Sequence, residues 1–393
     1  MTRSLTEQFN IIKKFIKCHA GEGDYVQARQ AAETITPAAE QGDGTAQFLL
    51  GRYFSWGYHS DCDNRKAIYW YEKAANDGNP EAAEQIMNIY RNDCPDETDT
   101  DERKTLILKW HKRWFDILAA KADNGSANAA KALMNLYVED CLEDINPQEG
   151  VKTARKWYDR WIELLSAKAS KGDVADKMLL ADILLYGDDV PEELLDCFTN
   201  EDDEHGLLKA IQLYKEIADG ANNEALKAEA CYKMGRAYHD LGEEKKALAC
   251  FKKAVKLNYH EAYAKVGDAY LYGNGVEQDD VQARKWYRKG AELGEITAML
   301  GLADCYKNGI GGKQDYDKAM IEYLHLAERT GNRWKHQAVG IGTALYELGN
   351  MYLNGLGVEV DLRKAYDYFK RAVSHYNRAA ENALNNKKFR DFK

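Results

Sequence analysis

The sequence contains little proline and almost no runs of β-branched residues. Only five prolines occur in 393 residues, so few positions interrupt a helix, and no segment predicts a strand. Apolar residues instead recur three and four positions apart, which is typical of helices that bury one face. These absences exclude a β-rich fold and predict an all-α protein.

Long apolar runs and an excess of positive charge are also missing. No stretch approaches the roughly 18 consecutive apolar residues of a membrane-spanning helix. Near the amino terminus, Lys13, Lys14 and Lys17 interrupt the apolar positions, which suits an amphipathic helix and not a secretion signal. Lysine and arginine number 54 against 64 acidic residues, a net charge of −10, which disfavours a nucleic-acid binder. We therefore expect a cytoplasmic protein that neither spans a membrane nor binds nucleic acid.

Paired cysteines are absent as well. Eight cysteines lie far apart and none forms a C-x-x-C pair: Cys18, Cys62, Cys94, Cys141, Cys197, Cys231, Cys250 and Cys305. We therefore expect reduced, structural thiols. His59 and Cys62 have the only metal-like spacing, and a single pair of ligands does not predict a metal site. The expectation is a protein without a metal or another cofactor.

No catalytic motif stands out. The sequence contains neither G-x-S-x-G nor H-E-x-x-H. The glycine-rich segments YGNGV (272–276), NGIGG (308–312) and NGLGV (354–358) resemble phosphate-binding loops only superficially, because none follows a predicted strand. Their recurrence at one position of a repeat predicts turns that end helices. We therefore expect a protein that is not an enzyme.

The chain repeats a unit of two helices. The residue that closes each unit recurs every 36 to 48 residues, at Gly42, Gly78, Gly125, Gly172, Gly220, Asn258, Gly294 and Gly331. The first helix of a unit, helix A, contains a small residue, as Gly51 in AQFLLGRYF (46–54). The second, helix B, carries an aromatic pair followed by alanines, as in KAIYWYEKAANDG (66–78). We expect helix B to approach helix A closely at the small residue.

These residues and their order resemble the Sel1-like repeat family, a relative of the tetratricopeptide repeats. The resemblance rests on a G-x-G-V turn followed by an acidic residue and then K-A-x-x-[WY]-[YF]-x-[KR]-[AG]. It is best at 46–81 and 262–377, whereas 230–257 has the short loop of a tetratricopeptide unit. The resemblance implies a right-handed α-solenoid of stacked helix-turn-helix repeats, and a role as an adaptor or assembly scaffold.

The repeats divide the chain into consecutive segments of one predicted solenoid, residues 1–393. The segments are a capping helix pair (1–44), a Sel1-like repeat (45–81), two long divergent repeats (82–177), a long-loop repeat (178–229), a tetratricopeptide-like repeat (230–260), three Sel1-like repeats (261–378) and a polar, basic tail (379–393). In the divergent repeats, 109–125 and 156–172 match each other and contain Trp110, Trp114, Trp157 and Trp161. We expect these tryptophans to pack between repeats and not to bind a ligand.

The analogy with tetratricopeptide arrays predicts that helix A lines a concave surface. The position after the small residue points into that surface, and it is polar in every unit: Arg52, Asn88, Asn135, Asp182, Arg236, Asp268, Asp304 and Asn350. Flanking positions hold Phe48, Trp56, Arg91, Tyr186, Tyr232, His239, Tyr272, Tyr306 and Tyr346. Two interpretations are open. These polar groups bond a neighbouring helix, or they hold the backbone of a bound peptide.

A second candidate surface is acidic. The predicted links between helices A and B in the long units, 91–104, 139–150 and 187–206, are rich in Asp and Glu and are expected to emerge on one edge. The third link contributes nine acidic residues and no lysine or arginine: Asp188, Asp189, Glu192, Glu193, Asp196, Glu201, Asp202, Asp203 and Glu204. Such an edge favours association with a basic partner.

Two functions follow from these features. The first is a non-catalytic scaffold that captures a protein or peptide on the concave surface and the acidic edge, as a bacterial adaptor or a toxin-neutralising protein does. The alternative is a regulatory receptor for a small molecule or a short signalling peptide. A compact pocket favours the receptor, and an extended charged contact favours the scaffold.

Overall fold

A computed structural model describes residues 4–17, 22–56, 63–92, 100–139, 147–187, 190–191, 200–329 and 335–392. Within these ranges the regular structure is entirely helical, which confirms the predicted all-α fold class. In chain order the helices are α1 (Leu5–Lys17), α2 (Glu22–Glu40), α3 (Gly44–Ser55), α4 (Asn64–Asn76), α5 (Pro80–Asn92), α6 (Thr100–Asp123), α7 (Ala127–Glu139), α8 (Pro147–Ala169), α9 (Val174–Tyr186), α10 (Asn200–Gly220), α11 (Glu224–Asp240), α12 (Glu244–Lys256), α13 (Ala262–Tyr272), α14 (Asp280–Glu292), α15 (Ile296–Asn308), α16 (Tyr316–Ala327), α17 (Lys335–Asn354), α18 (Leu362–Ser374), α19 (Arg378–Leu384) and a 3₁₀ helix (Lys387–Phe392).

The helices cluster into two compact units. Unit 1 comprises Met1–Ala167 and Pro191–Asp196, and unit 2 comprises Lys168–Val190 and Cys197–Lys393. In unit 2 each helix from α9 to α19 contacts the next one along the chain, and α13, α15 and α17 also contact one another in sequence. In unit 1 the helices from α1 to α7 follow the same consecutive order. Each unit is therefore a stack of helix pairs, in which odd-numbered helices from α3 to α17 are the A helices and even-numbered ones from α4 to α18 are the B helices.

A ring from helix B fills the gap that the helix A glycine leaves. A methyl group at Gly267 would stand 2.6 Å from the Tyr287 ring, and one at Gly51 would stand 2.4 Å from the Tyr71 ring. Gly235 with Phe251 and Gly349 with Phe369 repeat this arrangement. The close approach predicted from the small residue is therefore confirmed, and no larger side chain fits there without moving an aromatic ring.

The acidic residue after each glycine-rich turn caps helix B. The side chains of Asp279, Asp315 and Asp361 accept a hydrogen bond from the backbone N–H three residues on, at 2.9, 3.0 and 2.9 Å. The backbone N–H of the same aspartates donates to the carbonyl of a helix A tyrosine, as Asp279 does to Tyr270 at 2.9 Å. One residue therefore begins helix B and ties it to helix A.

The two glycines of each G-x-G turn have different roles. Gly273 ends α13 in the left-handed conformation, with φ of +75°, as predicted for a helix-ending turn. A methyl group at Gly275 would stand 2.4 Å from the carbonyl oxygen of Glu244, in the preceding repeat. Gly311 meets Asp280 in the same manner. The second glycine therefore lets one repeat rest directly on the backbone of the repeat before it.

Aromatic residues fill the divergent repeats and the carboxyl-terminal end. Trp110 and Trp161 are buried, and Trp110 belongs to a core cluster that includes residues of α4, α5 and α6. In the tail, Phe389 is fully buried against Phe369, with ring centroids 5.9 Å apart. The tail therefore closes the apolar end of unit 2.

Candidate functional site

Three aspartates of the predicted polar stripe bond a tyrosine of their own repeat. Tyr287 donates to Asp268 at 2.6 Å, and Tyr323 donates to Asp304 at 2.5 Å. Tyr214 donates to Asp182 at 2.7 Å. For these three positions the structure shows the first of the two interpretations, a bond to the neighbouring helix. Burial and the nearby carboxylate of Asp268 raise the pKa of Tyr287, so its hydroxyl stays a donor at neutral pH.

Two lysines extend these bonds between repeats. Lys233 of α11 reaches Asp182 of α9 at 2.8 Å and Glu229 of its own helix at 2.8 Å. Lys307 reaches Asp304 at 3.3 Å and Glu347 of α17 at 2.9 Å. Burial opposes the charge of Lys307, but the bonds to the carboxylates outweigh it and raise its pKa. Neither lysine was predicted from the sequence, because each lies outside the position that follows the small residue of helix A.

Three of the predicted flanking aromatics are half-buried and contact helix B. The ring of Phe48 lies 5.7 Å from Tyr71, Tyr346 lies 5.6 Å from Phe369, and Tyr232 lies 5.8 Å from Phe251, measured between centroids. Tyr232 also lies 4.8 Å from Tyr259. These side chains stabilise the helix pair of each repeat, which leaves less of their surface for a partner.

A pocket of about 270 Å³ in unit 2 brings four predicted site residues together. Arg236 and His239 of α11 face Asp268 and Tyr272 of α13 across it, and Lys265, Asp240, Glu244 and Asn274 complete its polar lining. Buried Ala247, Leu248 and Phe251 of α12 line it as well. Tyr272 is 70% exposed. The pocket therefore combines an apolar surface with charges of both signs and an exposed aromatic ring.

The charged groups of this pocket are held in defined positions. The Arg236 guanidinium stacks on the Tyr186 ring, 4.3 Å from its centroid. Nδ1 of His239 lies 2.8 Å from a carboxylate oxygen of Glu244. Asp268 is held by Tyr287. A ligand that enters the pocket therefore meets a largely preorganised set of side chains.

The remaining predicted stripe residues lie apart from this pocket. Arg52 and Phe48 line a larger cavity in unit 1, and Trp56 is 52% exposed at the end of α3. Arg284 stacks on Tyr306, 4.3 Å from the ring centroid. The others are Asn88 in α5, Arg91 at the end of α5, Asn135 in α7 and Asn350 in α17, and among them Asn135 has a buried side-chain oxygen without a hydrogen-bond partner in the structure.

The predicted acidic links are shorter than the sequence suggested. Helix α10 begins at Asn200, so Glu201, Asp202, Asp203 and Glu204 lie in its first turns and not in a connecting loop. Acidic side chains are favourable there, because the amino-terminal end of a helix carries partial positive charge. The first two links are likewise shortened, since α6 begins at Thr100 and α8 at Pro147. The other five acidic residues of the third link, Asp188, Asp189, Glu192, Glu193 and Asp196, lie outside the described residues.

The described cysteines are free and buried. Cys231, Cys250 and Cys305 form no disulfide, and burial raises the pKa of the Cys250 and Cys305 thiols to about 11. His59 and Cys62 lie outside the described residues. Across the residues that the structure describes, no three His, Cys, Asp or Glu side chains group closely enough to hold a metal ion. None of the described helices is both long enough and apolar enough to cross a membrane.

The repeats that match known families coincide with helix pairs of the structure. The Sel1 repeat matches residues 44–79, 260–295, 296–327 and 342–377, and a tetratricopeptide repeat matches residues 228–261. The chain therefore contains Sel1 repeats. The matched repeats contain the G-x-G turns and the caps of α14, α16 and α18 described above. Residues 80–227 of this Sel1-repeat protein, which include the duplicated tryptophan segments, lie outside the matches.

The Sel1-repeat protein is similar to two named regulators. It is 26% identical over 184 residues to the chitin synthase regulator SKT5 of Saccharomyces cerevisiae, a match that covers 45% of this chain and 25% of that protein. It is 24% identical over 175 residues to an exopolysaccharide production negative regulator of Rhizobium meliloti, covering 41% of this chain and 62% of that protein. The matches therefore span less than two thirds of either relative.

A solved structure with an SLR fold also resembles the Sel1-repeat protein. It is a protective antigen present in uropathogenic Escherichia coli strains, 21% identical in sequence. The superposition covers 98% of this chain and 89% of that chain, with a TM-score of 0.36.

Proposed function

We propose that this Sel1-repeat protein is a non-catalytic cytoplasmic scaffold that captures a protein or peptide partner on the face lined by the A helices. The observation that carries the proposal is the unit 2 pocket, where Arg236, His239 and Tyr272 surround a partly apolar lining. An exposed tyrosine beside an arginine is typical of residues that dominate protein interfaces. The relatives named as regulators support a regulatory role.

The negative charge of this chain predicts that the proposed partner has a basic surface. The chain has a net charge of −10, and the segment 187–206 concentrates acidic residues. Opposite charge raises the rate of encounter and orients the partner before the pocket is filled. Neutralising the acidic residues of 187–206 should therefore slow association more than it speeds dissociation.

The unit 2 pocket is small, and we assign it to one side chain of a larger partner. About 270 Å³ lies below the range of roughly 300–1,000 Å³ that is usual for small-molecule sites. The cavity in unit 1, at about 740 Å³, lies within that range and supports the second candidate, a receptor for a small molecule or short peptide. The two functions can coexist, because the sites lie in different units.

The test of the scaffold is affinity capture from source-cell lysate followed by mass spectrometry. The wild type is compared with Tyr272→Ala, Arg236→Ala and a Tyr376→Ala control, whose tyrosine is 69% exposed but does not line the pocket. We expect a partner that the wild type and the control retain and that the two pocket variants lose, with unchanged helicity by circular dichroism. Equal capture by all four proteins would remove the pocket from the proposal.

A further inference from the structure

A cavity in unit 1 gathers positive charge from three separate helices. Its volume is about 740 Å³, and it is lined by Lys13 of α1, Arg52 of α3 and Lys121 of α6. Sequence reasoning placed Arg52 in the polar stripe and treated Lys13 only as an interruption of an apolar face. The fold brings together three cations that are far apart in the sequence.

Within the described residues, no ion pair holds these three cations in place. Neither Lys13, Arg52 nor Lys121 forms an ion pair with a described residue, whereas Lys233 and Lys307 each bind two carboxylates. The three cations outnumber the two carboxylates that line the same cavity, so the lining is net positive in a chain with an excess of ten negative charges. Such a lining attracts an anionic ligand.

The other lining residues indicate which class of anionic ligand suits the cavity. Asp77 and Glu81 also face the cavity, and two carboxylates disfavour a compact polyanion such as a polyphosphate. They can accept hydrogen bonds from N–H groups instead. Phe48, Leu49 and Ala74 provide an apolar part. A peptide supplies all three complements, namely carboxylates, amide donors and apolar side chains.

We propose that the unit 1 cavity binds an acidic peptide segment. Lys13, Arg52 and Lys121 bind its carboxylates, Asp77 and Glu81 accept from its amide groups, and Phe48 and Leu49 contact an apolar side chain. The proposal rests on the proposed role of this protein in binding peptides. It adds a second site that prefers a negatively charged ligand, whereas the acidic segment 187–206 favours a positively charged one.

The test is fluorescence anisotropy of the full-length chain with a labelled short peptide that alternates Glu and Leu. Matched peptides carry Gln or Lys in place of Glu. We expect the Glu peptide to bind most tightly, and Lys13→Gln, Arg52→Gln and Lys121→Gln each to weaken it by roughly 3- to 10-fold. Lys14→Gln is the matched control, because Lys14 is exposed on α1 beside Lys13 and does not line the cavity.

Replacing the acidic residue Glu81 should change the peptide affinity in the opposite direction. Glu81→Gln removes one repulsive carboxylate and keeps a hydrogen-bond acceptor, so it should tighten the Glu peptide by roughly 2- to 5-fold. Comparing a peptide with free termini and one with blocked termini identifies the source. Tighter binding of the blocked form assigns an internal protein segment, and tighter binding of the free form assigns a short peptide or a chain end.

Two results would overturn the proposal. One is equal affinity for the Glu and Gln peptides. The other is an equal loss in Lys13→Gln and Lys14→Gln, which indicates attraction to the general surface charge. Tyr272→Ala and Arg236→Ala in unit 2 should leave the peptide affinity unchanged, so failure at the unit 1 cavity is distinguishable from failure of the lysate capture described above.

Discussion

The hydroxyl of Tyr287 donates a hydrogen bond of 2.6 Å to Oδ1 of Asp268, across the two helices of one repeat. The same ring fills the space beside Gly267. One side chain therefore provides both the apolar contact and the polar bond that join helix A to helix B. This double role explains why an aspartate on the predicted binding face serves stability.

Removing this hydroxyl should destabilise unit 2. We expect Tyr287→Phe to lower the free energy of unfolding by about 1–3 kcal/mol, because the half-buried Asp268 carboxylate loses its donor. Urea unfolding followed by circular dichroism measures the effect as a lower midpoint. Tyr272→Phe is the control, since Tyr272 is largely exposed and donates no hydrogen bond found in the structure. An equal shift in both variants would contradict the role given to Tyr287.

The second glycine of the G-x-G turn should tolerate no side chain. Gly275 and Gly242 both have φ of +73°, so alanine meets the same backbone strain of about 1 kcal/mol at either position. Only at Gly275 does the added methyl group also meet a backbone carbonyl of the preceding repeat. We expect Gly275→Ala to cost about 1–3 kcal/mol more than Gly242→Ala, measured by thermal or urea unfolding. Equal costs would show that the turn does not support the preceding repeat.

Lys307 should couple α15 to α17. Its side chain is 18% exposed and that of Glu347 is 20% exposed, with their charged atoms 2.9 Å apart. A double-mutant cycle with Lys307→Gln and Glu347→Gln should give a coupling free energy of about 1 kcal/mol. The exposed pair Lys364 and Asp361, 3.7 Å apart, is the control and should give about 0.3 kcal/mol. A coupling no larger than that of the control would contradict a link between the repeats.

The buried tyrosines should make the protein unfold in alkali. Burial raises the pKa of Tyr71 to about 12 and raises those of Tyr287 and Tyr323 as well. The folded state therefore holds these protons more tightly than the unfolded state does. Their contribution to stability is complete below the ordinary tyrosine pKa of about 10 and is lost as the pH rises toward the folded-state value.

A titration of tyrosinate absorbance tests this pH dependence. We expect exposed residues such as Tyr272 and Tyr376 to ionise first, and the buried group to ionise together with the loss of helicity. Tyr323→Phe should reduce the slope of stability against pH above about 10. Ionisation of all tyrosines in one step, with the helices intact, would contradict the burial of these hydroxyls.

Several features of the fold could be predicted from the sequence because they are local. Asp279 lies next to the helix that it caps, and Gly273 lies at the end of the helix that it terminates, so spacing alone predicts both. The aromatic positions of helix B also follow from helical periodicity. In contrast, helix α10 begins earlier than expected, because a run of acidic residues was interpreted as a link although it is also favourable in the first turns of a helix.

The sequence by itself determined the all-α fold class, the repeated helix pair and the polar character of the face on helix A, since each follows from spacing within one or two helices. Only the tertiary structure decided what those polar residues contact. Asp268 and Tyr287 are separated by 19 residues, and Asp182 and Lys233 by 51. Their contacts depend on how helices stack and turn about one another. The cavity formed by Lys13, Arg52 and Lys121 depends on the same geometry, because no periodicity in the sequence relates side chains that come from three different repeats.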